Sequence, residues 1–153
     1  MEWDDYFFLI ADAVAKKSPC LSKQKGAIVV RGKYIVAMGY NGPPSGYPHC
    51  SGNECPRHKL GYASGHGLEL CPAAHAERNA LIEAARIGVS TDGCVLYTTR
   101  PYPCRECAKE IVNAGIKEVV ITDDTQYPEE GLTGRKILEV CGVKVRIGRE
   151  VIS

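Results

Sequence analysis

The sequence predicts an α/β protein: a three-layer α/β/α arrangement around a mixed five-stranded sheet with helices on both faces. Three observations carry that expectation. Helix-period and strand-type segments follow one another in the order α-β-β-α-β-α-β-α-β. The first two strands are joined only by Arg31-Gly32-Lys33, a length and composition that make an antiparallel hairpin. The last three strands alternate with helices, and such crossovers are normally right-handed and leave parallel neighbours.

Taken in order, residues 3 to about 17 place Phe7, Ile10, Ala11 and Val14 at helical spacing, and Ser18-Pro19 stops that helix. Residues 26–30 and 34–40 are rich in β-branched and apolar side chains and form the hairpin. Residues 41–70 are a long run of Gly, Pro, Cys and His without periodicity. Structureless loops of that length are uncommon unless functional or tied down, and here cysteines and histidines offer the tie. Residues 75–87 read as a helix ended by Gly88, 94–98 as a buried strand, and 104–113 as a helix stopped by Gly115. Residues 118–122 are a strand, 132–140 a helix ended by Gly142, and 143–147 the last strand. No repeat or low-complexity tract interrupts the chain, so residues 1–153 are expected to be one domain.

The bulk properties narrow the class. A chain with 44% hydrophobic and 24% charged residues is ordinary for a globular protein, and a net charge of +1 argues against a nucleic-acid-coating or membrane-surface role. No run of about 18 apolar residues occurs, and Met1-Glu2-Trp3-Asp4-Asp5 is the reverse of a basic signal-peptide start. The expectation is a cytoplasmic protein with no membrane partner. In such a compartment eight cysteines point to thiolate–metal chemistry rather than to disulfides. Cys94 and Cys141 sit among apolar residues and read as small buried hydrophobes.

Two short segments carry the chemistry: His75-Ala76-Glu77 and Pro103-Cys104-Arg105-Glu106-Cys107. They supply one imidazole, two thiolates and a carboxylate, a set suited to a zinc ion with three protein ligands and a fourth position for water. Cys104 and Cys107 are three apart at a helix start, so they share a face, and the positive end of the helix favours thiolate. Glu77 is not needed as a ligand and is free to shuttle protons. The competing reading is a closed structural site that pairs Cys50 and Cys55 with Cys104 and Cys107, with Glu77 as an ordinary exposed helix carboxylate. The His-x-Glu…Pro-Cys-x-x-Cys pattern is that of zinc-dependent nucleobase deaminases.

The chain resembles the cytidine and deoxycytidylate deaminase superfamily, and most closely the deoxycytidylate (dCMP) deaminases. The likeness includes Glu2-Trp3-Asp4-Asp5-Tyr6-Phe7, Gly39-Tyr40-Asn41-Gly42 with Gly46 beyond it, His75-Ala76-Glu77-Arg78-Asn79-Ala80, and residues 103–109 and 113–117. It implies a cytidine-deaminase-like fold and hydrolysis of dCMP to dUMP with release of ammonia, which supplies the precursor of thymidylate. It implies His75, Cys104 and Cys107 as ligands of a catalytic Zn²⁺, Glu77 as proton shuttle, and Asn41 and Ala76 as substrate-binding residues. It further implies a homo-oligomer, commonly a hexamer, activated by dCTP and inhibited by dTTP. The effector site would include Gly39, Asn41, Gly42 and Gly46, with Mg²⁺ accompanying the nucleotide. Pro101-Tyr102 before Pro103, and residues 58–70, depart from the usual pattern and bear on substrate choice.

Two further groups are expected to matter. Cys20, Cys50 and Cys71, with either Cys55 or His66, are candidates for a second, structural Zn²⁺ that would order the long loop. A monophosphate needs a cation or a helix start, and Lys23, Lys25, Arg57, Lys59 and Arg100 are the candidates. The alternatives are deamination of another cytosine or adenine nucleoside or nucleotide, and a non-catalytic nucleotide-binding protein on the same fold. Trp3, Tyr6, Phe7 and Phe8 fit either subunit packing or a buried helix face.

Overall fold

A computed structural model describes residues 1–20, 23–49, 55–63 and 66–149. The order is α1 (Trp3–Ala15), β1 (Gly26–Arg31), β2 (Tyr34–Tyr40), α2 (Pro56–Lys59), a 3-10 turn (Leu68–Leu70), α3 (Ala76–Ile87), β3 (Val95–Thr98), α4 (Arg105–Asn113), β4 (Glu118–Ile121), α5 (Gly134–Val140) and β5 (Lys144–Ile147). The five strands form one sheet in the order β2-β1-β3-β4-β5. The β1–β2 hairpin is antiparallel and β3, β4 and β5 run parallel, as the sequence predicts. The junction between the two halves is an antiparallel β1–β3 pair that sets Ala27 opposite Thr98 and Ile28 opposite Tyr97.

Alternation along β1 divides the core. Ile28 and Val30 face α1, where they meet Phe7, Phe8, Ala11, Tyr97 and Val120. Ala27 and Val29 face the other way, under α3, α4 and α5. Thus one helix covers one face and three cover the other. On α1 the aromatics divide, with Phe7 and Phe8 buried and Trp3 and Tyr6 exposed at 50% and 40%. Each buried phenylalanine contributes roughly 1.5–3 kcal/mol through the water it sheds. Arg146 of β5 clasps this helix to the sheet, pairing with both Asp4 and Glu118, while the Tyr97 hydroxyl donates to Asp4 Oδ1 at 2.6 Å.

On the opposite face α3 lies very close to β2. Its inward residues Ala76, Ala80 and Ala84 recur every fourth position and are fully buried. A Cβ on Gly39 would stand 2.3 Å from the Ala80 nitrogen, so only glycine permits this approach. One outer edge of the sheet is β2, and there the Met38 N–H donates to Glu83 Oε2 of α3 at 2.7 Å.

The described residues between β2 and α3 include short elements within the run that shows no periodicity in the sequence. Gly42 and Ala74 form an isolated antiparallel bridge, and α2 and the 3-10 turn lie between them. Arg57 holds the described part together, Nε donating to His66 O at 2.7 Å and Nη2 to Ala63 O at 3.2 Å. Among the described residues this guanidinium is one tie across the segment. Among the same residues no helix is long and apolar enough to cross a membrane.

Candidate active site

The sequence puts residues 75 and 104 inside helices, whereas the structure makes both of them N-caps. His75 (φ −70°, ψ 154°) precedes α3 and Cys104 (φ −66°, ψ 166°) precedes α4. Extended backbone at these positions turns each side chain back across the helix start, which brings two distant segments together. His75 Nδ1 lies 3.4 Å from Cys104 Sγ and 3.4 Å from Cys107 Sγ. All three donor atoms fall within 4.8 Å of one another, and no other three-donor group of this kind occurs among the described residues. Tetrahedral zinc, with bonds of about 2.3 Å to sulfur and 2.0 Å to nitrogen, puts an N···S edge at roughly 3.5 Å. The donor set therefore fits zinc in both chemistry and spacing.

The sulfurs are electrostatically prepared. Cys104 Sγ accepts the Cys107 N–H at 3.5 Å. A hydrogen bond from the Cys107 thiol, assisted by His75 and that backbone donor, brings the Cys104 thiol down to about 3. The same bond, with burial, pushes the Cys107 thiol up. The two thiols are thus displaced in opposite directions, as a strongly interacting pair is.

Glu77 is 1% exposed, which removes the reading of an ordinary surface carboxylate. Its Oε1 accepts the hydroxyl of Thr98, itself fully buried at the end of β3, at 2.8 Å. A carboxylate is buried only where hydrogen bonds or charges compensate. Thr98 supplies one such bond and fixes the orientation of the acid. Nothing in the sequence marks Thr98, because only the β1–β3–α3 packing brings it to Glu77.

Beside His75 opens a cavity of about 280 Å³ whose wall includes Lys23, Lys25, Asn41, Arg57 and Arg100. Four of the five cations considered for phosphate therefore converge, and Lys59 is not among the lining residues. Burial, reinforced by the positive charges of Arg100 and Lys23, pulls the Lys25 ammonium below its ordinary value. An anion in the cavity would relieve that repulsion. Tyr127, missed in the sequence, stacks on the His75 ring at 5.9 Å with an 11° interplanar angle and carries the Arg100 guanidinium 4.7 Å from its ring centre. Its hydroxyl is buried without a hydrogen-bond partner among the described residues. A second cavity of about 510 Å³ shares His75 and Tyr127 and extends along Arg78, Cys104 and Glu129.

The remaining expected residues take varied places. Asn41 lines the first cavity, but its side chain also braces residues 23–25. Oδ1 accepts the Lys25 N–H at 2.8 Å and Nδ2 donates to Lys23 O at 2.9 Å. Ala76 is fully buried on the first turn of α3. Gly39 is committed to packing against α3 and Gly42 to the bridge with Ala74, while Gly46 is exposed at φ 92°. Cys20 and Cys71 line the same cavity as His75, and Cys55 is buried. Cys20, Cys55, Cys71 and His66 do not gather into a three-donor group, and Cys50 lies outside the described residues.

Comparison with known proteins agrees with this geometry. The family model of the cytidine and deoxycytidylate deaminase zinc-binding region matches residues 1–123. The chain is 38% identical over 144 residues to the deoxycytidylate deaminase of Schizosaccharomyces pombe, covering 94% of this chain and 43% of that protein. It thus spans less than half the length of that relative. It is 40% identical over 134 residues to the deoxycytidylate deaminase of Mycobacterium phage D29, covering 84% and 96% of the two chains. The apo form of dCMP deaminase from cyanophage S-TIM5 superposes with a TM-score of 0.70 at 32% identity, over 93% of this chain and 94% of that one. The same enzyme in complex with dCMP and dUMP gives 0.69 at 29% identity, over 95% and 93%. A matched region that takes in His75, Cys104 and Cys107, on a fold shared with a solved deaminase, makes this chain a member of the cytidine and deoxycytidylate deaminase family.

Proposed function

We propose that this chain hydrolyses dCMP to dUMP and ammonia. The observation that carries the proposal is a buried carboxylate, Glu77, in the first turn of the helix that His75 of the His-Cys-Cys donor set caps, with His75 itself lining a cavity whose wall carries four cations. His75, Cys104 and Cys107 would hold zinc, which when bound acts as a Lewis acid and lowers the pKa of a coordinated water.

The chain's own residues do the rest. Glu77 takes a proton from the attacking water and delivers it to the ring nitrogen beside the amino-bearing carbon. It then passes a proton to the departing amine. Thr98 holds the acid in the orientation both transfers need. We assign Asn41 a contact to the sugar and the main chain of Ala76 a contact to the base. Lys23, Lys25, Arg57 and Arg100 receive the phosphate. An unreactive nucleotide-binding role is disfavoured, because a protein that only binds has no use for a desolvated acid beside a metal.

The reading extends to regulation, supported by the family membership rather than by a site in the fold. It takes the protein to be a cytoplasmic hexamer, with dCTP activating and dTTP inhibiting. A Mg²⁺-accompanied effector would meet the turn that carries Asn41, Gly42 and Gly46. A reducing compartment also suits the free thiols of the metal centre. Cys20 and Cys71, which share a cavity wall, support the reading of a second structural zinc held by Cys20, Cys50 and Cys71 with either Cys55 or His66. Zinc measured per subunit would return two ions if that holds and one if it does not.

The test is ammonia release from dCMP, dCTP, deoxycytidine, cytidine and adenosine nucleotides, each with and without dCTP or dTTP. We expect dCMP to give the highest kcat/KM. A preference for deoxycytidine would overturn the phosphate assignment, and release from none would overturn the reaction.

A further inference from the structure

The start of α4 and the start of α5 are joined by a single side chain. Glu129, only 13% exposed, accepts the Arg105 N–H through Oε2 at 2.7 Å and the Gly134 N–H through Oε1 at 3.1 Å. These are the first helical residues of α4 and α5. Each helix also has a cap of its own one turn on: Cys104 Sγ accepts from Cys107 N, and Thr133 Oγ1 accepts from Lys136 N at 3.2 Å. The free N–H groups at the start of α4 are therefore divided between two acceptors, the distant carboxylate and the Cys104 sulfur.

The contact is tight. A Cβ on Gly134 would stand 2.0 Å from the Pro103 carbonyl oxygen and 3.0 Å from the Cys104 carbonyl carbon, so the α5 start lies directly on the backbone that bears the sulfur. Arg105 closes the same junction from outside, Nη1 donating to Glu130 O at 2.9 Å and Leu132 O at 3.0 Å. Glu129 also sits on the segment that carries Tyr127, whose ring covers His75. One carboxylate thus anchors both the backbone of a sulfur donor and the loop against the imidazole donor.

We propose that Glu129 is a positioning residue for the metal centre, which sets the Cys104 sulfur by holding the first N–H of α4 and pressing the start of α5 against Pro103-Cys104. This rests on the reading of His75, Cys104 and Cys107 as metal ligands. Outer partners of this sort typically alter metal affinity about 10- to 100-fold when removed.

The experiment follows zinc transfer from the full-length, zinc-loaded protein to a chromogenic chelator, for the wild type, Glu129→Ala, Glu129→Gln and Thr133→Ala. Thr133→Ala removes a cap from the same α5 without touching α4. Glu129→Ala should release zinc about 10- to 100-fold faster, and Glu129→Gln, which keeps the shape and one acceptor, by an intermediate factor. Thr133→Ala should stay within about twofold of the wild type even where its Tm falls equally. With cobalt in place of zinc, the sulfur-to-cobalt charge-transfer absorption per bound ion should change in the Glu129 variants only. If Glu129→Ala does not fold, Glu129→Gln decides. Wild-type release rates and an unchanged cobalt spectrum in every Glu129 variant that folds would overturn the role of Glu129. A wild-type chain that binds no metal would overturn the metal-centre reading itself.

Discussion

The two ends of the active-site cavity are built on opposite plans. At the metal end the donors stand at the starts of α3 and α4, two elements seated on the sheet, and Glu77 is locked against β3. At the cation end Lys23, Lys25 and Arg100 come from connecting segments and Arg57 from the one-turn helix α2, brought together only by the fold and braced by Asn41 and Tyr127. The first end is set on helix starts and a strand, and the second on the segments between them. Within a family, variation in what is deaminated should therefore concentrate at the second end and leave the chemistry at the first untouched.

Three substitutions test that division. The largest effect is expected for Glu77→Gln, which should keep zinc and fold but lower kcat about 10²- to 10⁴-fold, the usual range for a general acid–base. Equal turnover in the mutant and wild type would end the division of labour, since the metal end would then lack its shuttle. Next comes Lys25→Met. If the cation end reads phosphate, KM for dCMP should rise about 10- to 100-fold, the worth of one charge-assisted contact, while kcat and the residual activity on deoxycytidine barely change. A matching loss on deoxycytidine would mean that Lys25 shapes the cavity without recognising its ligand.

The smallest effect lies away from both ends, at the clasp on α1. Arg146, with a hydrogen bond from Tyr97, holds the Asp4 carboxyl below its ordinary value. A depressed folded-state pKa contributes stability above the unfolded value, near pH 4, and loses it as pH falls through the folded value. Asp4→Asn should therefore cost under about 1 kcal/mol at neutral pH, given the pair's partial exposure, and should flatten the fall in Tm between about pH 5 and 3. Activity per folded molecule should not change, because neither end of the cavity touches Asp4.

What the sequence made legible follows the same line. The helices and strands could be read because their signals are local: α3 ends at Gly88 in the left-handed region, and β1 alternates cleanly between two cores. The grouping of His75, Cys104 and Cys107 could be read because metal chemistry fixes residue type and spacing within each segment. The antiparallel β1–β3 junction was not legible, since no turn joins those strands. Thr98, Tyr127 and Glu129 were missed because each acts through partners many residues away: Thr98 and Glu77 are 21 apart, Arg105 and Glu129 24 apart. In the sequence Glu129-Glu130 is simply a charged pair in a loop. Gly39 shows the reverse case: its motif suggested an effector site, and its position shows a backbone requirement of α3.

The bond from Met38 to Glu83 has a consequence for the border of the sheet. An outermost strand offers its spare N–H and C=O groups as a template on which a second sheet can grow. Here a donor in the middle of that border is already occupied by an acid reaching over from the neighbouring helix, which also leaves negative charge where an incoming carbonyl would have to dock. The bond therefore blunts β2 as a template for a second sheet, so that of the two borders β5 is the one that keeps its spare groups unguarded by this device.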